Sequence, residues 1–126
     1  MDEHPCIMVV DDEQAIRVLL ERMLKPEGYE VILAADGSSA LTMLEKHRPD
    51  LVILDINMPG LNGFQVLERI RQRSDVPVIM LTGKGEVTTI GSALSIGADD
   101  YVKKPFSTRE LIARIRAKLR RANENR

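Results

Sequence analysis

The chain has 126 residues, of which 18 are Lys or Arg and 19 are Asp or Glu, so a heavy load of charge cancels to a net −1. A chain this long buries a core without staples, and no apolar run approaches the ~18 residues that a membrane span needs, which excludes a transmembrane protein. The lone cysteine, Cys6, excludes internal disulfides and Cys-based zinc clusters and reads as a small core residue; two Tyr, two Phe and no Trp are too few rings for a base-stacking nucleic-acid platform.

The opening MDEHPCIMVV runs from acidic residues straight into an apolar stretch, the wrong order for a secretory signal, and a cytoplasmic protein is expected. Cys6–Val10 is a continuous apolar run that stops at Asp11-Asp12, the pattern of a strand buried on both faces. Ile16, Leu19, Leu20, Met23 and Leu24 recur at helical spacing until Pro26 and Gly28 break it. Val31–Leu33 predicts a second strand, and Ala40, Leu41, Met43 and Leu44 a helix that Asp36 or Ser38 caps. Leu51–Leu54 leads as a third strand into Asp55. Beyond Met58-Pro59-Gly60, a helix carries Phe64, Val66, Leu67 and Ile70.

Val78–Leu81 predicts a fourth strand ending at Thr82. A weak helix over 86–96 follows, built from mediocre formers such as Thr88, Thr89, Gly91, Ser92 and Ser95. Asp100–Val102 is a short fifth strand, and a strong last helix carries Leu111, Ile112, Ile115 and Leu119 behind Ser107 or Thr108 as cap. Five β/α units imply an α/β sandwich around one parallel sheet. Residues 1–121 are expected to form one domain, with 122–126, where apolar periodicity is lost, as a tail or the start of a linker. Charge is uneven along it: residues 1–60 hold 12 acids against 5 bases, and residues 61–126 hold 7 against 13.

Each reactive side chain falls just past the carboxyl end of a predicted strand: Asp11 and Asp12 after the first, Asp55 after the third, Thr82 after the fourth, Lys104 after the fifth. Ligands of open α/β sheets bind at that edge. If the second and third strands flank the first, the three carboxylates meet at the switch point. At ~5 Å and an effective dielectric of ~20, each carboxylate pair repels by on the order of 3 kcal/mol, a cost that a divalent cation removes. Oxygen ligands without His or Cys suit Mg²⁺, or Mn²⁺, rather than zinc. Lys104 adds a point charge and Thr82 a hydroxyl donor, and the whole set describes phosphoryl chemistry. Taken singly, Asp12 is more readily a helix N-cap, Asp55 a turn residue, Thr82 a strand-end donor and Lys104 a surface lysine than any of them is a functional group. It is their joint placement on one edge that points to function.

The segments Val9-Val10-Asp11-Asp12-Glu13, Asp50–Gly60, Leu81-Thr82-Gly83 and Asp100–Phe106 resemble the receiver domain of bacterial two-component response regulators, across essentially the whole chain. The resemblance implies a flavodoxin-like (CheY-like) doubly wound sandwich with a five-stranded parallel sheet in the order 2-1-3-4-5. It implies that Asp55 accepts a phosphoryl group from a histidine kinase. Asp12, Asp55 and the backbone carbonyl of Asn57 would bind Mg²⁺, and Asp11 would act largely through water. Lys104, before a cis Pro105, would pair with phosphoryl oxygens, while Thr82 and Tyr101 turn inward as a switch. Asn57 and Lys84 stand where family members tune the lifetime of the phosphoryl group. As a phosphorylation switch, the chain would not be an enzyme with a separate turnover substrate.

The stretch Asp99-Asp100-Tyr101 and the run Glu110–Arg116 are similar to regulators of the OmpR/PhoB type, which pair receivers through the fourth helix, fifth strand and fifth helix. Asp99, Asp100 and Arg114 would then supply salt bridges of a phosphorylation-dependent homodimer, and Ile90, where a charge is common, would make the contact more apolar. Such relatives carry a DNA-binding domain after the last helix and control transcription. The receiver itself is not expected to bind nucleic acid. Two other functions compete. A haloacid-dehalogenase-like phosphatase also uses a strand-end Asp, Mg²⁺ and Lys, but commonly has a carboxylic acid two residues on, where this chain has Asn57. A binding module keeping the fold without chemistry would not need the full residue set.

Overall fold

The computed structural model describes residues 4–83 and 97–124. The apolar runs become strands β1 (Cys6–Val10), β2 (Glu30–Ala34), β3 (Leu51–Asp55), β4 (Val78–Thr82) and β5 (Asp100–Lys103). All pair in parallel in the order β2-β1-β3-β4-β5, the flavodoxin-like arrangement. Helices α1 (Gln14–Leu24), α2 (Gly37–His47), α3 (Gly63–Arg71) and the C-terminal helix (Thr108–Glu124) cover its faces. The helix expected over 86–96 lies outside the described residues, as do Ile90 and Lys84.

Alternation along the strands sends side chains into two cores. Met8, Val10, Val52, Leu54, Val78 and Met80 pack against Ala40, Leu41 and Leu44 of α2 and Val66, Leu67 and Ile70 of α3. Ile7, Val9, Leu51, Ile53, Ile79, Leu81 and Val102 pack against Leu20 and Leu24 of α1 and Leu111 and Ile115 of the C-terminal helix. With both faces covered, β1, β3 and β4 hold polar residues only at their carboxyl ends, if at all, which is why the rest of each reads as an unbroken apolar run.

Two residues expected inside are not. Leu19 is 46% exposed, because the inward stripe of α1 runs through Ile16, Leu20, Met23 and Leu24 and leaves position 19 at its margin. Cys6, the first residue of β1, is half-buried.

Caps fix where the helices begin. Asp36 accepts from Ser39 N at 2.7 Å and starts α2. Asn62 and Gln65 form a reciprocal capping box at α3, a signal not read from the sequence. Ser107, rather than Thr108, caps the C-terminal helix through Glu110 N. That helix continues to Glu124, past the point where apolar periodicity ends, because Arg and Ala are strong helix formers that need no buried face to extend one. No described helix is long and apolar enough to cross a membrane.

Candidate functional site

The parallel sheet delivers its strand ends to one edge. Asp11 follows β1, Asp55 closes β3, Thr82 closes β4 and Lys104 follows β5. One carboxylate oxygen from each of Asp11, Asp12 and Asp55 lies within 4.8 Å of the others, with Asp11 and Asp55 buried and Asp12 exposed. The adjacency of β1 and β3 makes this cluster, since Val10 stands opposite Leu54 and the next residue of each strand is the aspartate.

Local bonds hold each acid in place. Asp11 N donates to Ala34 O at 3.1 Å, and its Oδ1 accepts from Glu13 N at 2.9 Å. Asp12 is not the N-cap of α1; Glu13 occupies that position without a side-chain bond, which leaves the Asp12 carboxylate to the cluster. Arg17, on the first turns of α1, donates Nη1 to Asp11 O at 2.7 Å, a contact with no sequence signal beyond its spacing. Gly63 opens α3 against the back of Asp55: its N donates to Ile56 O at 2.8 Å, and a methyl there would strike the Asp55 carbonyl.

Lys104 answers the acids. Its Nζ lies 3.1 Å from Asp55 Oδ1, 3.4 Å from Asp11 Oδ2 and 4.0 Å from Glu13 Oε1. Its own N donates to Thr82 O at 2.6 Å, which ties it to the end of β4, and the Lys104-Pro105 peptide is cis. Burial and the neighbouring Asp11 push the Asp55 carboxyl up to about 6, with Lys104 opposing and Asp12 adding to the rise. Burial pulls the Lys104 ammonium down, but its hydrogen bond to and the charge of Asp55, followed by Asp11, outweigh this and hold it above the ordinary lysine range.

Thr82 is 1% exposed, and its Oγ1 has no hydrogen-bond partner among the described residues. A hydroxyl so placed forgoes a bond worth about 1 kcal/mol and accepts a desolvation cost, unless a ligand oxygen completes it. Asn57 is exposed two residues past Asp55, and buried Met58 anchors the same loop. Tyr101 is half-buried against the core on the α2/α3 side.

The acids and the base expected to bridge two copies are engaged within one chain. Arg114 Nη1 donates to Asp100 Oδ1 at 2.7 Å and its Nε to Glu110 at 3.3 Å, whereas Asp99 pairs with Arg71 at 2.7 Å. Arg71 had no predicted role, and nothing in its spacing marks it.

Three carboxylates against one lysine leave the pocket net negative, and its donors are all oxygen, so the residues fit a hard divalent cation. Asp55 is a buried carboxylate with a cation of the protein's own, Lys104 Nζ, 3.1 Å away.

Comparison with known proteins agrees with this geometry. The response regulator receiver domain model matches residues 7–116. The "probable transcriptional regulator ycf27" of Porphyra purpurea is 55% identical over 118 residues, covering 94% of this chain and 49% of its own, and that of Cyanophora paradoxa is 54% identical over 115 residues, covering 91% and 48%. The chain thus spans about half the length of these relatives. Among solved structures, a CheY-like receiver domain protein from Methanospirillum hungatei superposes with a TM-score of 0.92 at 32% identity, covering 98% of this chain and 99% of that one. The receiver domain of NtrX from Brucella abortus gives 0.86 at 40% identity, covering 90% and 98%. The chain belongs to the response regulator receiver domain family of two-component signalling.

Proposed function

We propose that the chain is a phosphorylation-activated switch in which Asp55 accepts a phosphoryl group from a sensor histidine kinase. One observation carries the reading: a buried carboxylate, Asp55, meets two further aspartates, a lysine at 3.1 Å and an unpartnered buried hydroxyl at a single sheet edge. Asp11, Asp12, Asp55 and the carbonyl of Asn57 are the residues that would hold Mg²⁺, Asp11 largely through water. The cation, when bound, neutralises phosphoryl charge and offsets the repulsion among the acids. An Asp55 Oδ attacks the donor phosphorus; the bond from phosphorus to the histidine nitrogen breaks, and that nitrogen leaves with the electron pair and takes up a proton. Asp55 is ionised for this at neutral pH, because even its raised value of about 6 lies below 7.

Phosphorylation adds oxygens where Lys104 already points and where Thr82 Oγ1 lacks a partner. Movement of Thr82 toward them opens space that half-buried Tyr101 fills, and β5 and the C-terminal helix carry the change outward. Because the relatives are transcriptional regulators about twice as long, the output we infer is transcription through an attached or partner DNA-binding domain, with a homodimer through this face as the active form. The test is a small phosphodonor plus Mg²⁺, followed by intact mass. One added phosphoryl group is expected, absent in Asp55→Asn; equal labelling of that variant refutes the assignment. Steady multiple turnover of a phosphomonoester would instead favour a phosphatase.

A further inference from the structure

Arg71, the last residue of α3, lies outside the acidic site, yet its side chain is only 18% exposed and all three guanidinium nitrogens donate hydrogen bonds. Nε donates to Gly97 O at 2.8 Å, Nη1 to Val76 O at 2.7 Å and Ser74 O at 3.2 Å, and Nη2 to Asp99 Oδ2 at 2.7 Å. The same Asp99 oxygen accepts from Val78 N at 2.8 Å, while Asp99 N donates to Val78 O at 2.9 Å. The Asp99 carboxylate therefore takes the place of a backbone carbonyl and closes the first rung between β4 and β5. Gly97 has φ +122°, and a Cβ on it would sit 3.1 Å from Arg71 Nε, so the arginine packs where only glycine leaves room.

This fastening matters because β5 is a four-residue edge strand paired to β4 alone. The pairing Ile79 with Asp100 through Thr82 with Lys103 fixes where Lys104 emerges. A slip of one residue would reverse the face of every β5 side chain and move Lys104 by about 3.3 Å, beyond bonding reach of Asp55. A planar guanidinium that also grips three backbone carbonyls resists such a slip in a way a lone ion pair does not.

We propose that Arg71 and Asp99 are positioning residues for the chemistry at Asp55: they lock β5 in register and so set the reach of Lys104. The inference rests on the phosphoacceptor role of Asp55 proposed above. It carries a specific signature. The three carboxylates come from the ends of β1 and β3, which the lock does not touch, whereas Lys104 comes from β5.

The test compares the full chain with Arg71→Gln and Asp99→Asn, each at a temperature where circular dichroism shows it folded. Mg²⁺ affinity is measured by calorimetry, and phosphorylation rate from acetyl phosphate by intact mass. The expected result is Mg²⁺ affinity no weaker than about half that of the parent, since a displaced Lys104 no longer competes for the acids, and a phosphorylation rate lowered at least about tenfold. Arg71→Lys should recover only part of the rate, because an ammonium cannot span the same carbonyls. Variants that lose melting temperature but phosphorylate at the parent rate would overturn the proposal, as would a parallel fall in Mg²⁺ affinity and rate. If Arg71→Gln does not fold, Asp99→Asn decides on the same criteria, since it keeps an oxygen for Val78 N and removes only the charge that Arg71 grips. A parent chain that takes no phosphoryl group refutes the phosphoacceptor reading itself; a labelled parent with equally fast variants refutes only the lock.

Discussion

Asp55 is the residue at which opposing forces are balanced. Its carboxyl is buried beside another buried acid, and Lys104 at 3.1 Å offsets this only in part, so the group titrates near 6 rather than 3.8. A folded value above the unfolded one means that the native state holds the proton more tightly. In chelator, Asp55 therefore favours the fold most below pH about 4, and that contribution is lost as pH rises through about 6. Asp55→Asn should remove this segment of the stability curve and stabilise the metal-free protein at pH 7 by on the order of 2 kcal/mol. Urea titrations of both proteins between pH 4 and 8 measure the difference; parallel curves would show that Asp55 is not held under electrostatic strain. Thr82→Ala removes a hydroxyl with no partner among the described residues, so its effect on unmodified stability should stay within about 1 kcal/mol while the response of Tyr101 to phosphodonor is lost, read by Tyr fluorescence.

At the scale of elements, the helix starts are where single substitutions tell most. Asp36 accepts a 2.7 Å bond from Ser39 N, and that interaction holds its carboxyl below the ordinary aspartate range. Asp36→Ala should cost about 1 kcal/mol by thermal melting at pH 7, and less as pH falls and the wild-type carboxylate protonates. Gly63 is a stricter case, because α3 begins against the backbone of Asp55 and Ile56. Gly63→Ala must displace either α3 or the end of β3. Loss of both stability and Mg²⁺ affinity is expected, measured by melting with and without the cation; an unchanged Mg²⁺-induced shift would mean that the helix moves and the site does not.

For the molecule as a whole, a cation held by the acidic cluster would couple metal binding to folding. Mg²⁺ at ~100 times its dissociation constant should stabilise the protein by about 2.7 kcal/mol if the unfolded chain does not bind it. Asp12→Ala should abolish most of this gain while raising the stability of the metal-free protein, since it removes one of three crowded charges. The same gain in that variant would place the cation elsewhere. The switch proposed above needs a sheet that stays rigid under β1 and β3 while side chains of β5 can rearrange at its margin. The packing supports this: β1, β3 and β4 are buried from end to end or nearly so, whereas β5 has only Val102 fully inside.

Much of this was legible in the residues, and for a physical reason. A strand buried on both faces must be apolar throughout, so Leu51–Leu54 and Val78–Leu81 could be little else, and the acids, Thr82 and Lys104 stand out by ending such runs. Strand order brings those ends together, but it came from resemblance and not from periodicity, because nothing local records which strand lies beside which. Tertiary structure alone decided the rest. It exposed Leu19, gave the cap of α1 to Glu13 instead of Asp12, and joined Asp99 to Arg71. Such pairings depend on where a long side chain reaches across 28 residues of sequence, a distance over which spacing carries no information. Local pattern follows from what each segment must bury, and long-range polar contacts follow only from how the buried segments stack.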